Sequence, residues 1–255
     1  DKNGNINVTW QDATPGISQI FFSRLSGGTV ANQQPVANAG ADQTLECSGP
    51  NGSSMALDGS KSSDPDGDVL SFVWKDEAGN TVGMTAIVQA TVSLGTHTFT
   101  LTVTDPAGLS SAATTKVTVG DTTPPTLRVM LSPNLLWSPN HKLIPITATV
   151  GASDTCDASP AVTLVSITSN EPDNGLGDGD QSNDIQAIGG GPIPLGTDVR
   201  WFLLRAERSG MGSGRVYTVT YTAKNASGNT VSASAQVTVP SGGTGKTSTT
   251  NPSRH

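Results

Sequence analysis

The sequence predicts an all-β protein: two tandem β-sandwiches preceded by a β-hairpin. Three observations carry that reading. The chain of 255 residues holds 29 Gly and 16 Pro, with 14% charged and 4% aromatic residues; Thr, Ser and Val are over-used, the profile of short β-branched strands joined by tight turns. Short stretches with two-residue alternation recur at roughly six or seven per hundred residues, without a helical period between them. The dipeptide Pro124-Pro125, within Asp121-Thr122-Thr123-Pro124-Pro125, divides two such series. It reads as a stiff linker because proline donates nothing to a ladder and favours extended backbone.

Residues 1–30 form the opening unit. Asn5–Trp10 alternates polar and apolar residues, Gln19–Arg24 is a second strand, and Asp12-Ala13-Thr14-Pro15-Gly16 turns the chain between them. A lone hairpin is marginal in water and needs a partner sheet, so Ile6, Val8, Trp10, Ile20 and Phe22 are the candidate assembly residues. In the first sandwich, 35–120, Leu70–Trp74 puts Leu70, Phe72 and Trp74 on one face. His97–Thr104 puts Phe99, Leu101 and Val103 inward with threonines outward, and Ala112–Val119 closes the unit. In the second sandwich, 124–240, strands are expected at Leu127–Leu131, Lys142–Val150, Ala161–Thr168, Val199–Ala206, Arg215–Thr222 and Thr230–Val239, with Tyr217, Val219 and Tyr221 sharing a face. The Gly/Ser/Thr-rich residues 241–255 read as a flexible tail.

Composition and charge exclude several classes. No apolar run is long enough to span a membrane. The net charge is −7 with no basic cluster, which argues against nucleic acid; the acidic residues sit in Asp/Gly turns and point to cations instead. The chain begins at Asp1 with no leader pattern, as expected of a processed product or a fragment. Cys47 and Cys156 lie far apart, and a bridge between them would cross the two sandwiches, so two separate thiols are expected. With three histidines, none at ligand spacing, neither cysteine completes a zinc site.

The strongest candidate metal site is a calcium site of Asp173, Asp178, Asp180, Asn183 and Asp184, because alternating oxygens on a glycine-rich loop suit the tolerant geometry of that ion. A solvated acidic loop is the plainer reading. Asp64, Asp66 and Asp68, with Asp58 and Asp105 as completing oxygens, form a second candidate, although Asp-Pro-Asp-Gly is also good turn chemistry. Glu207 stands among Arg205, Arg208 and Arg215 and suits a structural ion-pair network rather than acid/base catalysis, since three cations would lower its pKa. No nucleophile elbow accompanies His97, His141 or His255, and Gly245-Lys246-Thr247 lacks the strand and helix of a phosphate loop; the chain is expected not to be an enzyme. Among Trp10, Trp137 and Trp201 as stacking platforms, Trp137 beside its prolines is the candidate binding residue, while Trp201, next to Phe202 and Leu203, is expected in the core.

Asn38–Gln43, Leu57–Asp68, Phe72–Trp74 and Leu101–Asp105, in that order, resemble a PKD domain over residues 35–120. The resemblance implies an immunoglobulin-like sandwich with Trp74 as the buried central-strand tryptophan, in a module of secreted or surface proteins that sometimes binds calcium. Leu136–Lys142, Ser169–Gly175, Leu204–Gly210 and Gly214–Tyr217 are similar to an immunoglobulin-like domain found at the C-terminal ends of bacterial extracellular proteins. The opening hairpin, Asp1–Trp10 through Ile20–Arg24, looks like part of one blade of a sialidase-type propeller; a single partial blade makes no propeller, so either the chain was cut from a longer protein or the hairpin has another job.

The expectation is therefore a secreted, cell-surface structural protein, a spacer or a fibre subunit joined by β-strand addition to other copies of itself, with calcium stiffening its loops. An accessory module binding a polysaccharide or protein for a linked enzyme is the alternative.

Overall fold

The computed structural model describes residues 31–173, 181–210 and 213–241, together with the backbone of residues 6–11 and 20–25. The candidate ligands Asp178 and Asp180, and the tail beyond residue 241, lie outside the described residues. Every described regular element is a β-strand.

The strands are β1 (Ile6–Gln11), β2 (Ile20–Leu25), β3 (Gln43–Glu46), β4 (Ser53–Asp58), β5 (Ser71–Lys75), β6 (Thr81–Gly83), β7 (Ile87–Val92), β8 (Gly95–Thr104) and β9 (Ser110–Gly120), followed by β10 (Thr126–Ser132), β11 (Leu143–Ser153), β12 (Ala161–Ser169), β13 (Ile185–Ala187), β14 (Trp201–Arg205), β15 (Gly214–Lys224) and β16 (Thr230–Pro240). They form five sheets: β1-β2; β3-β9-β8-β5-β6; β4-β7; β10-β11-β14-β13; and β12-β15-β16. The short strands β3, β4, β6, β7 and β13 were not singled out by alternation, because three to six residues carry too few repeats to declare a period.

The chain divides into two compact units, residues 1–41, 56–88 and 98–116 in one and 42–55, 89–97 and 117–255 in the other. In the first, the expected alternation is realised: Phe99, Leu101 and Val103 are buried on β8, and Trp74 and Leu57 are fully buried. Each such side chain contributes about 1.5–3 kcal/mol by leaving water. The Trp74 Nε1–H is buried without an acceptor, which offsets part of that gain.

In the second unit the two sheets face each other across one core. Leu131, Ile146, Ala148, Phe202 and Leu204 from one side meet Leu164, Tyr217, Val219, Tyr221, Val237 and Val239 from the other. Tyr217, Val219 and Tyr221 share the inward face as their spacing requires. On the outward face, cross-strand hydroxyl pairs such as Thr220–Ser234 and Thr222–Ser232, each 2.8 Å apart, replace apolar contacts. Two glycines are required by backbone approach: a Cβ on Gly52 (φ +98°) would lie 1.8 Å from the Val92 carbonyl oxygen, and one on Gly214 (φ +105°) 2.7 Å from that of Val239.

One expectation is overturned. Cys47 and Cys156 are not separate thiols; they form a disulfide, and both lie in the second unit. The physical reason is strand pairing. β3 runs parallel to the end of β9, from Gln43 opposite Val117 to Glu46 opposite Gly120, and the Cys47 N–H continues the ladder to the Gly120 carbonyl at 2.7 Å. That ladder holds residues 43–47 in the compact unit that contains Cys156.

Candidate functional site

Four strand ends converge in the second unit on a cluster of charges. The two-residue period of β15 turns Arg215 inward with Tyr217, and Arg215 is 1% exposed. Arg205 ends β14, Glu207 follows it, Asp184 precedes β13 and Glu171 follows β12. Asp184 is the hub: it accepts from Arg205 Nε at 3.1 Å and from Arg215 Nη1. Arg215 also donates Nε to Glu171 (3.3 Å) and Nη2 to the Pro172 carbonyl (3.2 Å). Arg205 donates to the carbonyls of His141 and Ser182 and to the Gln181 side chain. Tyr217 closes the ring, accepting from Arg215 and donating to the Arg205 carbonyl at 2.9 Å.

The electrostatics follow from burial. Leaving water pushes the Asp184 carboxyl above its ordinary value, against the opposing pull of Arg215. Burial likewise raises the Tyr217 and Tyr221 phenols to about 12. For Arg215, burial works against the charge, but Tyr217 and Asp184 outweigh it and the guanidinium is more basic than usual.

The network differs in membership from the one the sequence suggested. Fully buried Glu207 pairs with none of Arg205, Arg208 and Arg215; it accepts from His141 Nδ1 at 3.0 Å and from the Gln181 N–H at 3.2 Å. Glu207 lies two residues beyond the end of β14, where no strand period sets side-chain direction, and its partners come from segments distant in sequence.

The candidate calcium ligands are placed differently from one another. The Asp173 carboxylate accepts the backbone N–H groups of Asn183 (3.1 Å) and Asp184 (2.9 Å), while Asp184 is engaged by two guanidiniums. Asn183 adopts a left-handed conformation, φ +64°. In the other candidate, Asp64 Oδ1 accepts the N–H of Asp66 (2.8 Å) and Asp68 (3.4 Å), and Asp66 accepts both the backbone N–H and the side-chain amide of Gln33. Asp58 caps Ser60, and Asp105 accepts from Asn32 and Leu109. Asp64 Oδ2 is buried and has no hydrogen-bond partner.

Among the described residues, the one group of three acid or sulfur ligands that converges within 4.8 Å is Asp121, Asp154 and Cys156, which sequence spacing could not reveal. The Cys156 sulfur is committed to the disulfide. Between the two carboxylates sits the Asn225 amide, donating to Asp121 (2.9 Å), Asp154 (3.2 Å) and the Thr123 carbonyl (3.2 Å). The amide occupies the position a cation would take, and the segment 121–123 is further held by Glu46, which accepts from Thr122 and Thr123.

Of the tryptophans, Trp137 is 67% exposed on a cleft of about 250 Å³ that it shares with Pro133, Leu135, Asn140, Ile144 and Ala206. Trp201 is also a surface residue, 62% exposed, and not part of the core as expected. Phe202 and Leu204 take the inward positions of β14, so Trp201 must face outward.

Several carboxyls are held below their ordinary values by donors: Glu46 by the N–H of Thr122, Asp58 by Ser60, Asp76 by Asn80, Asp105 by Asn32 and Asp173 by the N–H of Asp184. Such groups bind fewer protons folded than unfolded, so their stabilisation is present above about pH 4 and lost as pH falls through the lowered values; Asp184, raised by burial, acts in the opposite sense. The urea midpoint is expected to hold from pH 7 to 5 and to fall between pH 4 and 3. A midpoint unchanged at pH 3 would contradict this balance.

Comparison with known proteins places the first part of the chain. Residues 32–119 match the family model of the PKD domain. This PKD match covers the four motifs read from the sequence. No curated protein matches the chain significantly. Solved structures to which the chain is similar include a nucleoside hydrolase-related hypothetical protein from Saccharophagus degradans associated with carbohydrate metabolism (25% identity, 37% of this chain and 28% of that one, TM-score 0.30). Others are the fibronectin(III)-like modules of Clostridium thermocellum CbhA (10%, 82% and 95%, 0.28) and the protocadherin GammaB4 extracellular domain (17%, 93% and 40%, 0.39). The chain thus spans 28% of the first and 40% of the last.

Proposed function

We propose that this chain is a non-catalytic structural module of the cell exterior that joins to other copies of itself through its N-terminal hairpin. The observation that carries the reading is the pairing of β1 with β2. They form a sheet of their own, with Ile6 opposite Leu25, Val8 opposite Ser23 and Trp10 opposite Phe21. Directly opposed residues share a face, so Ile6, Val8, Trp10, Phe21 and Leu25 fall on one side. Ile20 and Phe22, opposite Gln11 and Thr9, fall on the other, a division the sequence pattern did not resolve. A two-stranded ribbon with one apolar face is marginal alone and gains by adding to a further sheet.

The disulfide supports an oxidising, extracellular setting, and an immunoglobulin-like sandwich supports a spacer or display role. Calcium enters this reading at Asp64, whose unpartnered Oδ2 a cation would satisfy. The exposed Trp137 and Trp201 support a second reading, an accessory module that stacks sugar rings.

The test is light scattering and negative-stain imaging of the full chain, of a chain lacking residues 1–30, and of V8D, each with calcium and with chelator. Elongated particles are expected from the full chain alone, longer or stiffer with calcium. Monomers in every sample would sink the assembly reading.

A further inference from the structure

Resting on the structural-module reading but not on the hairpin, we propose that the chain carries tension along its length, and that the Cys47–Cys156 bridge routes this tension past residues 48–155. The bridge joins cysteines 109 residues apart, so the covalent path through it leaves everything between them out of line. Load entering at β3, which ends one residue before Cys47, crosses to Cys156 and continues toward the end of β16. The closed loop holds β4 to β11, and with them most of the PKD match.

The geometry beyond Cys156 suits that load. Asp154 and Asp157, on either side of Cys156, are tied to the turn between β15 and β16. The Asn225 amide donates to Asp154 (3.2 Å) and the Ala226 N–H to Asp157 (2.9 Å). The bridge therefore enters at one end of the β12-β15-β16 sheet, and the chain leaves at the other. Ala161 lies opposite Lys224, and Lys224 opposite Thr230, whereas Pro240 lies opposite Gly214. β12 and β16 are each antiparallel to β15 and so run in the same direction. A pull on Cys156 and on Pro240 slides the two strands past each other. Ladder hydrogen bonds lie across the strands, so the eight residue pairs of β12–β15 and the eleven of β15–β16 resist together rather than in turn. Without the bridge the load must travel round the loop. The N-terminal end of β3 is then held against the C-terminal end of β9 by four parallel pairs and the Cys47 N–H bond to Gly120. That shorter ladder is the weaker link, and links in series fail at the weakest.

The experiment is constant-force pulling of single full-length chains through click-chemistry handles at residues 42 and 241, comparing the native chain with C47S/C156S. Survival under force reads the unfolding rate, and the native chain is expected to last roughly tenfold longer or more than the variant. The variant is expected to release the loop first, an extension of about 360–390 Å for its 109 residues. A second measurement needs no cysteine change: handles at residues 213 and 241 of the native chain load adjacent ends of β15 and β16, one pair at a time. That survival is expected to be shorter by roughly tenfold or more. Equal survival with and without the bridge, or with the handle at 42 and at 213, would overturn the load path and leave the assembly reading to light scattering. Monomers in scattering beside a long-lived native chain under force would sink self-assembly and leave the load path standing.

Discussion

Replacing Arg215 with methionine is expected to destabilise the protein by about 3–5 kcal/mol, because it strands buried carboxylates. Methionine keeps most of the apolar stem, so the change isolates the guanidinium. Asp184, 3% exposed, would retain Arg205 alone, and Glu171 would lose its contact with Arg215. The Pro172 carbonyl and the Tyr217 hydroxyl each lose a donor as well. Urea unfolding followed by tryptophan fluorescence measures the loss; a change under about 1 kcal/mol would mean that desolvation of the charges already cancels their attraction. D184N is the informative companion. It removes the charge that both guanidiniums face, and a loss approaching that of R215M is expected.

The second large effect concerns the disulfide. Cys47 and Cys156 are separated by 109 residues, and a cross-link closing a loop of that size removes about 4–5 kcal/mol of unfolded-state entropy in the chain-entropy view. C47S/C156S, or reduction of the native protein, is expected to lower stability by about 2–4 kcal/mol with native secondary structure retained by circular dichroism. Retention follows from the ladder that continues to the Cys47 N–H and from the Asn225 amide between Asp121 and Asp154, neither of which needs the sulfur bond. Equal urea midpoints for oxidised and reduced protein would show that those hydrogen bonds alone confine the segment. Loss of secondary structure on reduction would show that they do not.

Much of the architecture is legible in the residues. Strict alternation at Phe99–Val103 and at Tyr217–Tyr221 predicts inward faces that are buried, because the side-chain period of a strand is set by the backbone alone. The PKD motifs likewise announce their own sandwich. Legibility stops where partners are distant. Trp201 reads as core from its apolar neighbours, yet one step along a strand reverses the face. Glu207 reads as the centre of an arginine cluster, yet Arg205 and Arg215 serve Asp184 and Glu171 while His141, 66 residues away, serves Glu207.

The all-β class, the alternation of each long strand and the hairpin's apolar character were therefore decided locally, by propensity and by a two-residue period. The disulfide, the Asn225 bridge and the charge network were decided by folding. Each joins residues whose encounter depends on which strands pair and in what register, and no local preference along the chain encodes that choice.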